Sequence, residues 1–352
     1  MSAWDQPLTF WEKVQEALNR LSILATVLST TVTGIFRGQS GAKQYSVHVA
    51  CAVIRKACVT YTPRQLQLQE APTDETYRQF MTEQGLQPDT VPLKYGAKGH
   101  WIGNKNAKTV VVYYHGGGFF LNAYPHHFRY LGHIVKRLNN DVAFFFLSYS
   151  LTPHAAYPVQ LRQAVEALRY ILTQTNRSPS NIILGGDSAG ANLALAVLLH
   201  LSHPNPEIDT LEISRPLAGV FCHAPWIDYR TDGPSVQKNA YKDMIRPEIL
   251  NYWSAIYLGS KEGDAWSEPA KAPAEWWEGV KTEQVLIVAG GDEILISGID
   301  EFAQKYKNVL PNMVYVVGSG ETHVSAVYVA DMVGHDTQQV EAIVNWLGAR
   351  LV

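Results

Sequence analysis

Asn181-Ile182-Ile183-Leu184-Gly185-Gly186-Asp187-Ser188-Ala189-Gly190 is the stretch whose reading decides the fold. A short apolar run stops at two glycines, and an unbroken apolar segment from Ala189 to His203 begins at once. The first has the length and β-branching of a buried strand, the second the length of a helix, so Ser188 falls in the turn between them. In such a Gly-x-Ser-x-Gly turn the backbone doubles back so tightly that only small residues fit beside the serine, whose hydroxyl is presented at the helix N-terminus. The five-residue pattern alone is common by chance. Its setting between strand and helix makes it a candidate nucleophile.

Outward from this turn the same alternation continues. Thr109–Tyr114, Val142–Leu147, Leu217–Cys222, Gln284–Ala289 and Asn312–Val317 read as further strands. Pro158–Gln174 and Gln338–Arg350 carry helical periodicity. Strands alternating with helices predict an α/β protein with a mostly parallel central sheet flanked by helices. Two regions break the rhythm. Residues 1–80 look helical without a strand partner, and residues 229–279 separate two strands with Trp253, Trp266, Trp276 and Trp277. A long aromatic excursion between sheet strands predicts a lid or a second packing unit. The expected division is therefore an N-terminal helical cap segment (1–80), a first core part (81–228), a cap or lid insertion (229–279) and a second core part (280–352).

Composition narrows the function. The 352 residues are 46% hydrophobic and 17% charged, with a net charge of −3, so a large core is expected and the basic footprint of a nucleic-acid partner is missing. Cys51, Cys58 and Cys222 show no paired spacing and read as buried free thiols, which suits a cytoplasmic location. Residues 21–36 lean apolar but are interrupted by serines, threonines and Gly34, short of the roughly 20 apolar residues of a membrane span. They are expected to pack on the protein rather than to lie on a membrane surface. His126-His127 and the pair His200 and His203 lack the rest of a metal-binding pattern and read as surface or cap histidines. With no phosphate-binding glycine motif either, neither a metal nor an organic cofactor is expected.

His115-Gly116-Gly117-Gly118 follows the strand at 109–114. Consecutive glycines let backbone N–H groups approach a developing oxyanion, and a single such donor supplies about 3 kcal/mol of transition-state stabilisation. Together with Gly186-Asp187-Ser188-Ala189-Gly190, this run resembles the hormone-sensitive-lipase-like esterases, a branch of the α/β-hydrolase fold. Tyr149-Ser-Leu-Thr-Pro153 and Ala224-Pro-Trp-Ile-Asp228 are similar to two further segments of that branch, and the likeness runs from about residue 90 to the C-terminus. It implies an oxyanion hole from the amides of Gly117, Gly118 and Ala189. It also implies a cap built from the N-terminal helices and the insertion.

A base and an acid should follow the serine. Gly318-Ser-Gly-Glu-Thr-His323 is a loop after the last strand, which makes His323 the candidate base ahead of the later His335. The family has Gly-Phe after this histidine, where the present chain has Val324-Ser325. For the acid, Asp292 and Glu293 compete at the end of the strand at 284–289. Laying Phe302-Ala-Gln-Lys305 on the family's aromatic-Ala-x-basic run favours Glu293, while Ser297 stands where the family has a second Asp. The resemblance implies a serine carboxylesterase or deacetylase. Its expected substrate is a small-molecule hydrophobic ester, a short acyl group on a sterol-like or natural-product alcohol, as in tailoring steps of secondary metabolism. A lactonase, amidase or acyltransferase on the same residues, or a non-catalytic ligand-binding member of the fold, are the alternatives. A homodimer is also consistent with the sequence.

Overall fold

The computed structural model describes residues 7–351. The chain opens with four helices, α1 (Phe10–Thr33), α2 (Tyr45–Thr60), α3 (Pro63–Gln69) and α4 (Thr73–Glu83). Thr9 starts α1 through a reciprocal cap: its Oγ1 accepts from the Glu12 amide (3.3 Å) and its own amide donates to Glu12 Oε2 (2.7 Å). The core then runs through β1 (Thr90–Pro92), β2 (Lys98–Gly103), β3 (Thr109–Tyr114), α5 (Pro125–Arg137), β4 (Val142–Ser148), α6 (Val159–Gln174), β5 (Ile182–Asp187), α7 (Ala189–Ser202) and β6 (Gly219–His223). The segment that follows holds α8 (Pro234–Lys238), α9 (Pro247–Leu258) and α10 (Ala274–Trp277). The chain closes with β7 (Val285–Gly290), α11 (Ile296–Tyr306), β8 (Val314–Gly318), α12 (Ser325–Tyr328), α13 (Ala330–Val333) and α14 (Gln338–Gly348).

Eight strands form one sheet in the order β1-β2-β4-β3-β5-β6-β7-β8. β1, β2 and β4 pair antiparallel, and every pairing from β4 through β3 to β8 is parallel. Both faces are covered, so the central strands need no polar face and read as continuous apolar runs. Side chains alternate across the sheet. Val110, Val112 and Tyr114 pack with Leu161, Leu168 and Leu195 of α6 and α7, while Val111 and Tyr113 pack with Phe128, Ile134, Ile343 and Leu347 of α5 and α14. The expected strands are present within three residues of their sequence limits. β1 and β2 were not expected, because Lys98-Gly-His-Trp-Ile-Gly103 has neither the alternation nor the β-branching of a readable strand.

Residues 21–36 pack on the protein through α2, as expected, but they belong to a longer apolar helical stretch than expected, Phe10–Phe36. They are helical, but α1 touches the body along one side only, and Leu18, Leu21, Leu28, Val32 and Ile35 are 60–66% exposed. α1 lies outside both core clusters that cover the sheet.

Candidate active site

Parallel strands deliver their C-terminal ends to one edge of the sheet, and the chemistry-bearing residues collect there. β5 ends in Asp187, and Ser188 turns with φ 52° and ψ −117° before α7 begins. The flanking glycines are obligatory: a Cβ on Gly190 would lie 1.9 Å from the Tyr114 carbonyl oxygen, and one on Gly186 would lie 2.4 Å from Gly190. The Ser188 amide donates to the His223 carbonyl (2.8 Å), and its carbonyl accepts from Trp226 (3.1 Å) and Asn192 (3.1 Å). The 224–228 segment is thus what closes over the turn, with Asn192 Nδ2 also donating to the Trp226 carbonyl (2.8 Å).

The glycine run after β3 is tied to the same turn. Asp187 Oδ1 accepts from the Gly116 amide (3.0 Å) and the Tyr113 hydroxyl (2.7 Å), and Oδ2 meets His127 Nε2 at 3.3 Å. Burial alone would raise the Asp187 pKa, but His127 and Tyr113 outweigh it and hold the carboxyl below its usual range. His115 is stacked on Tyr149 (4.3 Å between ring centroids) and driven down to about 3 by burial, so its ring stays neutral. The Tyr149 hydroxyl donates to the His115 carbonyl (2.8 Å), and the Thr152 amide donates to the Phe119 carbonyl (2.9 Å). The 149–153 segment therefore braces both ends of the glycine loop. Gly117 and Gly118 take φ of 99° and 61°, a region open to glycine, and a Cβ on Gly118 would lie 2.2 Å from the Trp253 ring. Ala189 is the first residue of α7, whose leading N–H groups have no partner within the helix.

His323 and Glu293 form the buried pair beside the turn. His323 Nδ1 lies 2.6 Å from Glu293 Oε2, and Glu293 Oε1 accepts from the Gly290 amide (2.6 Å). Asp292 faces elsewhere, paired with Lys242 Nζ at 2.8 Å. Burial works against a charged imidazole, but Glu293, with Asp243 and Asp187 behind it, more than reverses this and holds His323 above its ordinary value. Ser188 and His323 line one pocket without a direct hydrogen bond, as catalytic contacts in unliganded enzymes often do. The later His335 is bonded to the neighbouring Asp336 carbonyl, away from the pocket.

That pocket, about 310 Å³, is mostly apolar, with Tyr124, His126, Asp187 and Arg246 as the polar lining beyond its floor. The floor is Gly117, Gly118, Ser188 and His323, and the walls come from Ile54, Ala57 and Cys58 of α2, Leu66 of α3, and Ile245, Ile249 and Trp253 at α9. Val324, where the resembled family has Gly, sits in the left-handed region (φ 45°, ψ 39°) and lines the pocket. Of the four tryptophans in the excursion expected to be a lid or a second packing unit, Trp253 lines the pocket. Trp266 and Trp276 pack together with His203, and Trp277 is buried against Phe302 and Tyr306, because α10 lies over α7 and α11 rather than over the sheet edge. Of the histidines expected at the surface or as caps, His127 and His200 are buried, and His127 caps α5, its Nδ1 accepting from the Tyr124 amide (3.2 Å). His127 bonds Asp187, and His200 Nδ1 accepts from the Asn205 amide (3.0 Å), both out of water.

Architecture and motifs now agree with the comparisons. The chain matches the alpha/beta hydrolase fold family over residues 111–327. It belongs to that family, in its hormone-sensitive-lipase-like esterase branch. It is 29% identical to an esterase of Acinetobacter venetianus over 69% of this chain and 78% of that one, and 27% identical to an acetyl-hydrolase of Streptomyces hygroscopicus over 60% and 66%. A crystal structure of an esterase from the bacterial hormone-sensitive lipase family shares the fold with a TM-score of 0.65 at 24% identity, covering 88% of this chain and 100% of that one. The chain spans as little as 28% and as much as 78% of the length of curated relatives it matches.

The esterase carries one site residue that the sequence did not point to. Asp243, from the segment between β6 and β7, is fully buried with its carboxylate between two loops. Oδ1 accepts from the His323 amide (3.1 Å) and from Met244 (2.7 Å), and Oδ2 accepts from the Ile294 amide (2.8 Å), next to Glu293. Burial pushes Asp243 up to about 6, against the opposing pull of His323. Asn at this position would turn its NH₂ toward one of the two loops and leave an amide there unpaired. Losing such a charged buried acceptor costs about 1.5–3 kcal/mol. Asp243→Asn is expected to lower kcat on a soluble ester by about 10- to 100-fold with little change in KM. Steady-state kinetics check this, and an unchanged kcat would remove Asp243 from the site.

Proposed function

We propose that this esterase hydrolyses a short-chain acyl ester of a hydrophobic, sterol-like or natural-product alcohol through an acyl-enzyme on Ser188. What carries the reading is the buried His323–Glu293 pair at 2.6 Å on the floor of an apolar pocket that also holds Ser188. In this reading His323 Nε2 takes the Ser188 proton as Oγ attacks the ester carbonyl carbon. The carbonyl oxygen, now negative, is met by the amides of Gly117, Gly118 and Ala189. His323 returns the proton to the departing alcohol oxygen, and the C–O bond breaks to leave the acyl group on Ser188. Water then attacks the acyl carbon, giving its proton to His323, and the carboxylic acid leaves as Ser188 recovers its hydrogen. Glu293 holds the Nδ1–H tautomer and supports each imidazolium.

The substrate class follows from the walls. Aliphatic side chains of α2, α3 and α9 offer little hydrogen bonding, which suits a bulky apolar alcohol, whereas the tight turn at Gly117 and Gly118 against Trp253 suits a small acyl group. The helices α1–α4 and the 229–279 segment act together as the cap.

The acid is tested by a pair of variants. Loss of the orienting acid cost about 10⁴-fold in the best-studied triad, so Glu293→Gln should lower kcat by orders of magnitude and Asp292→Asn should not. If only Asp292→Asn were crippled, the assignment of the acid would fall. In parallel, a fluorophosphonate probe should label wild-type protein at Ser188 and leave Ser188→Ala unlabelled, as read by mass spectrometry of the peptide.

The pH profile gives a separate check. His323 must be neutral to accept a proton, so kcat/KM falls as pH drops through its pKa, which lies above the ordinary value of 6.5. Removing the Glu293 charge destabilises the imidazolium, so in residual Glu293→Gln activity the acid limb should move to lower pH. A limb that stays in place would show that Glu293 does not set the His323 pKa.

A further inference from the structure

α1 is 24 residues long and, with the 3-10 turn Gly34–Phe36 that continues it, presents to solvent a row formed by Trp11, Leu18, Leu21, Leu28, Val32 and Ile35, each at least 60% exposed. These positions recur at helical spacing and share one side. The opposite side is fixed to the body: Asn19 Nδ2 donates to the Thr60 carbonyl (3.2 Å), and the Tyr45 hydroxyl bonds the Thr31 carbonyl. Leaving a large aliphatic side chain in water forgoes roughly 1.5–3 kcal/mol, and a continuous apolar row of this length on a protein surface marks an interaction site.

The chemistry of the row selects its partner. From Leu21 to Phe36 there is no charged residue, and an 18-residue window of this helix has a mean hydropathy of 1.2. The polar residues in that stretch turn inward on themselves. The hydroxyls of Thr26, Ser29, Thr31 and Thr33 donate to the carbonyls of Ser22, Thr26, Val27 and Ser29 at 2.7–3.2 Å. Hydroxyls already bonded to their own helix offer no donor to a protein partner and need no water, which is the requirement of an apolar medium. Charged flanking positions set the register of paired helices, and from Leu21 to Phe36 the row has none to offer a second copy. Trp11 and Phe36, both largely exposed, add the aromatic rings that settle at a membrane interface on the apolar side of an in-plane helix. Residues 10–43 hold four basic and two acidic side chains, which favours an anionic surface.

We infer that the outward face of α1 docks on a lipid bilayer, with the helix lying in the interface rather than crossing it. The packed inner side rules out crossing, since polar contacts to α2 and α3 would have to enter the hydrocarbon. Docking is also placed usefully. α2, which lies along α1, supplies Ile54, Ala57 and Cys58 to the apolar pocket, so the wall nearest the bilayer is a wall of the site.

The test uses the full chain and two kinds of vesicle, phosphatidylcholine alone and phosphatidylcholine with phosphatidylserine. Wild-type protein is expected to float with both and more strongly with the anionic one. Leu21→Gln with Leu28→Gln, outward positions where Gln keeps helix propensity, should weaken partitioning by about 100-fold. Turnover of a soluble acetate ester should be unchanged in that variant, which separates failure of docking from failure of the esterase reading. A readout in the unaltered protein is hydrogen exchange, which should slow across residues 10–36 when vesicles are added. Absence of flotation, unchanged exchange, or a double variant that partitions like wild type would each overturn the inference. So would a wild-type dimer in sedimentation velocity that the variant splits and that vesicles do not dissociate, since the face would then belong to a second copy.

Discussion

The turn at Ser188 is the constraint to which the rest of the structure answers. A non-glycine residue at φ 52° and ψ −117° costs on the order of 1–3 kcal/mol and persists only where its surroundings over-determine it. Here the over-determination can be counted. The His223 carbonyl holds the Ser188 amide, the Trp226 and Asn192 amides hold its carbonyl, and Asp187 anchors the preceding residue to Gly116, Tyr113 and His127. Each conserved-looking run in the resemblance, at 115–118, 149–153 and 224–228, makes at least one of these bonds or braces a residue that does. The motifs are therefore parts of one scaffold around a strained turn rather than separate functional signals.

What the sequence could and could not disclose follows from the range of the interactions. β3 to β8 were legible because both sheet faces are covered and the runs are apolar throughout. Ser188 was legible because its turn is specified by glycines within two residues. Glu293 and Asp292 could not be separated locally, since both follow the same strand, and the difference lies in what each faces, His323 in one case and Lys242 in the other. Asp243 was invisible for a stronger reason. Its partners are 51 and 80 residues away, and nothing in Asp-Met-Ile-Arg announces a buried carboxylate. The tryptophans misled because a count of aromatics in a segment does not say which helix face carries them.

The same Asp243 contacts change how the 229–279 segment is understood. A lid that opened by swinging away would have to break the Asp243 bonds to Ile294 and His323. It would also break the Asn239 bond to the Glu293 carbonyl (2.9 Å) and the Ser235 bond to the Ile294 carbonyl. At about 1.5–3 kcal/mol for each bond to a charged group and about 1 for the others, that movement costs several kcal/mol and disorganises the His323 loop as it proceeds. This part of the chain is a brace for the candidate acid and base, and its pocket wall at Trp253 is correspondingly fixed against Gly118.

Access to the pocket is then cheaper on the other side. α2 and α3 are tied to the core by Gln67 to the Phe120 and Thr152 carbonyls (2.8 and 2.7 Å), by Glu70 to Tyr124 and the Asn122 amide (3.1 Å), and by Arg55 to the Asp243 carbonyl. Glu70 is itself pushed up to about 7 by burial, so near neutrality its bond to Tyr124 is not that of a settled carboxylate. Most α2 and α3 residues are only partly buried, which leaves less apolar area to lose on separation. The wall on that side is the one made by Ile54, Ala57, Cys58 and Leu66, on the same side of the molecule as the exposed row of α1. In the proposed reading the acyl group lies against the Trp253 wall and the alcohol against the α2 and α3 wall.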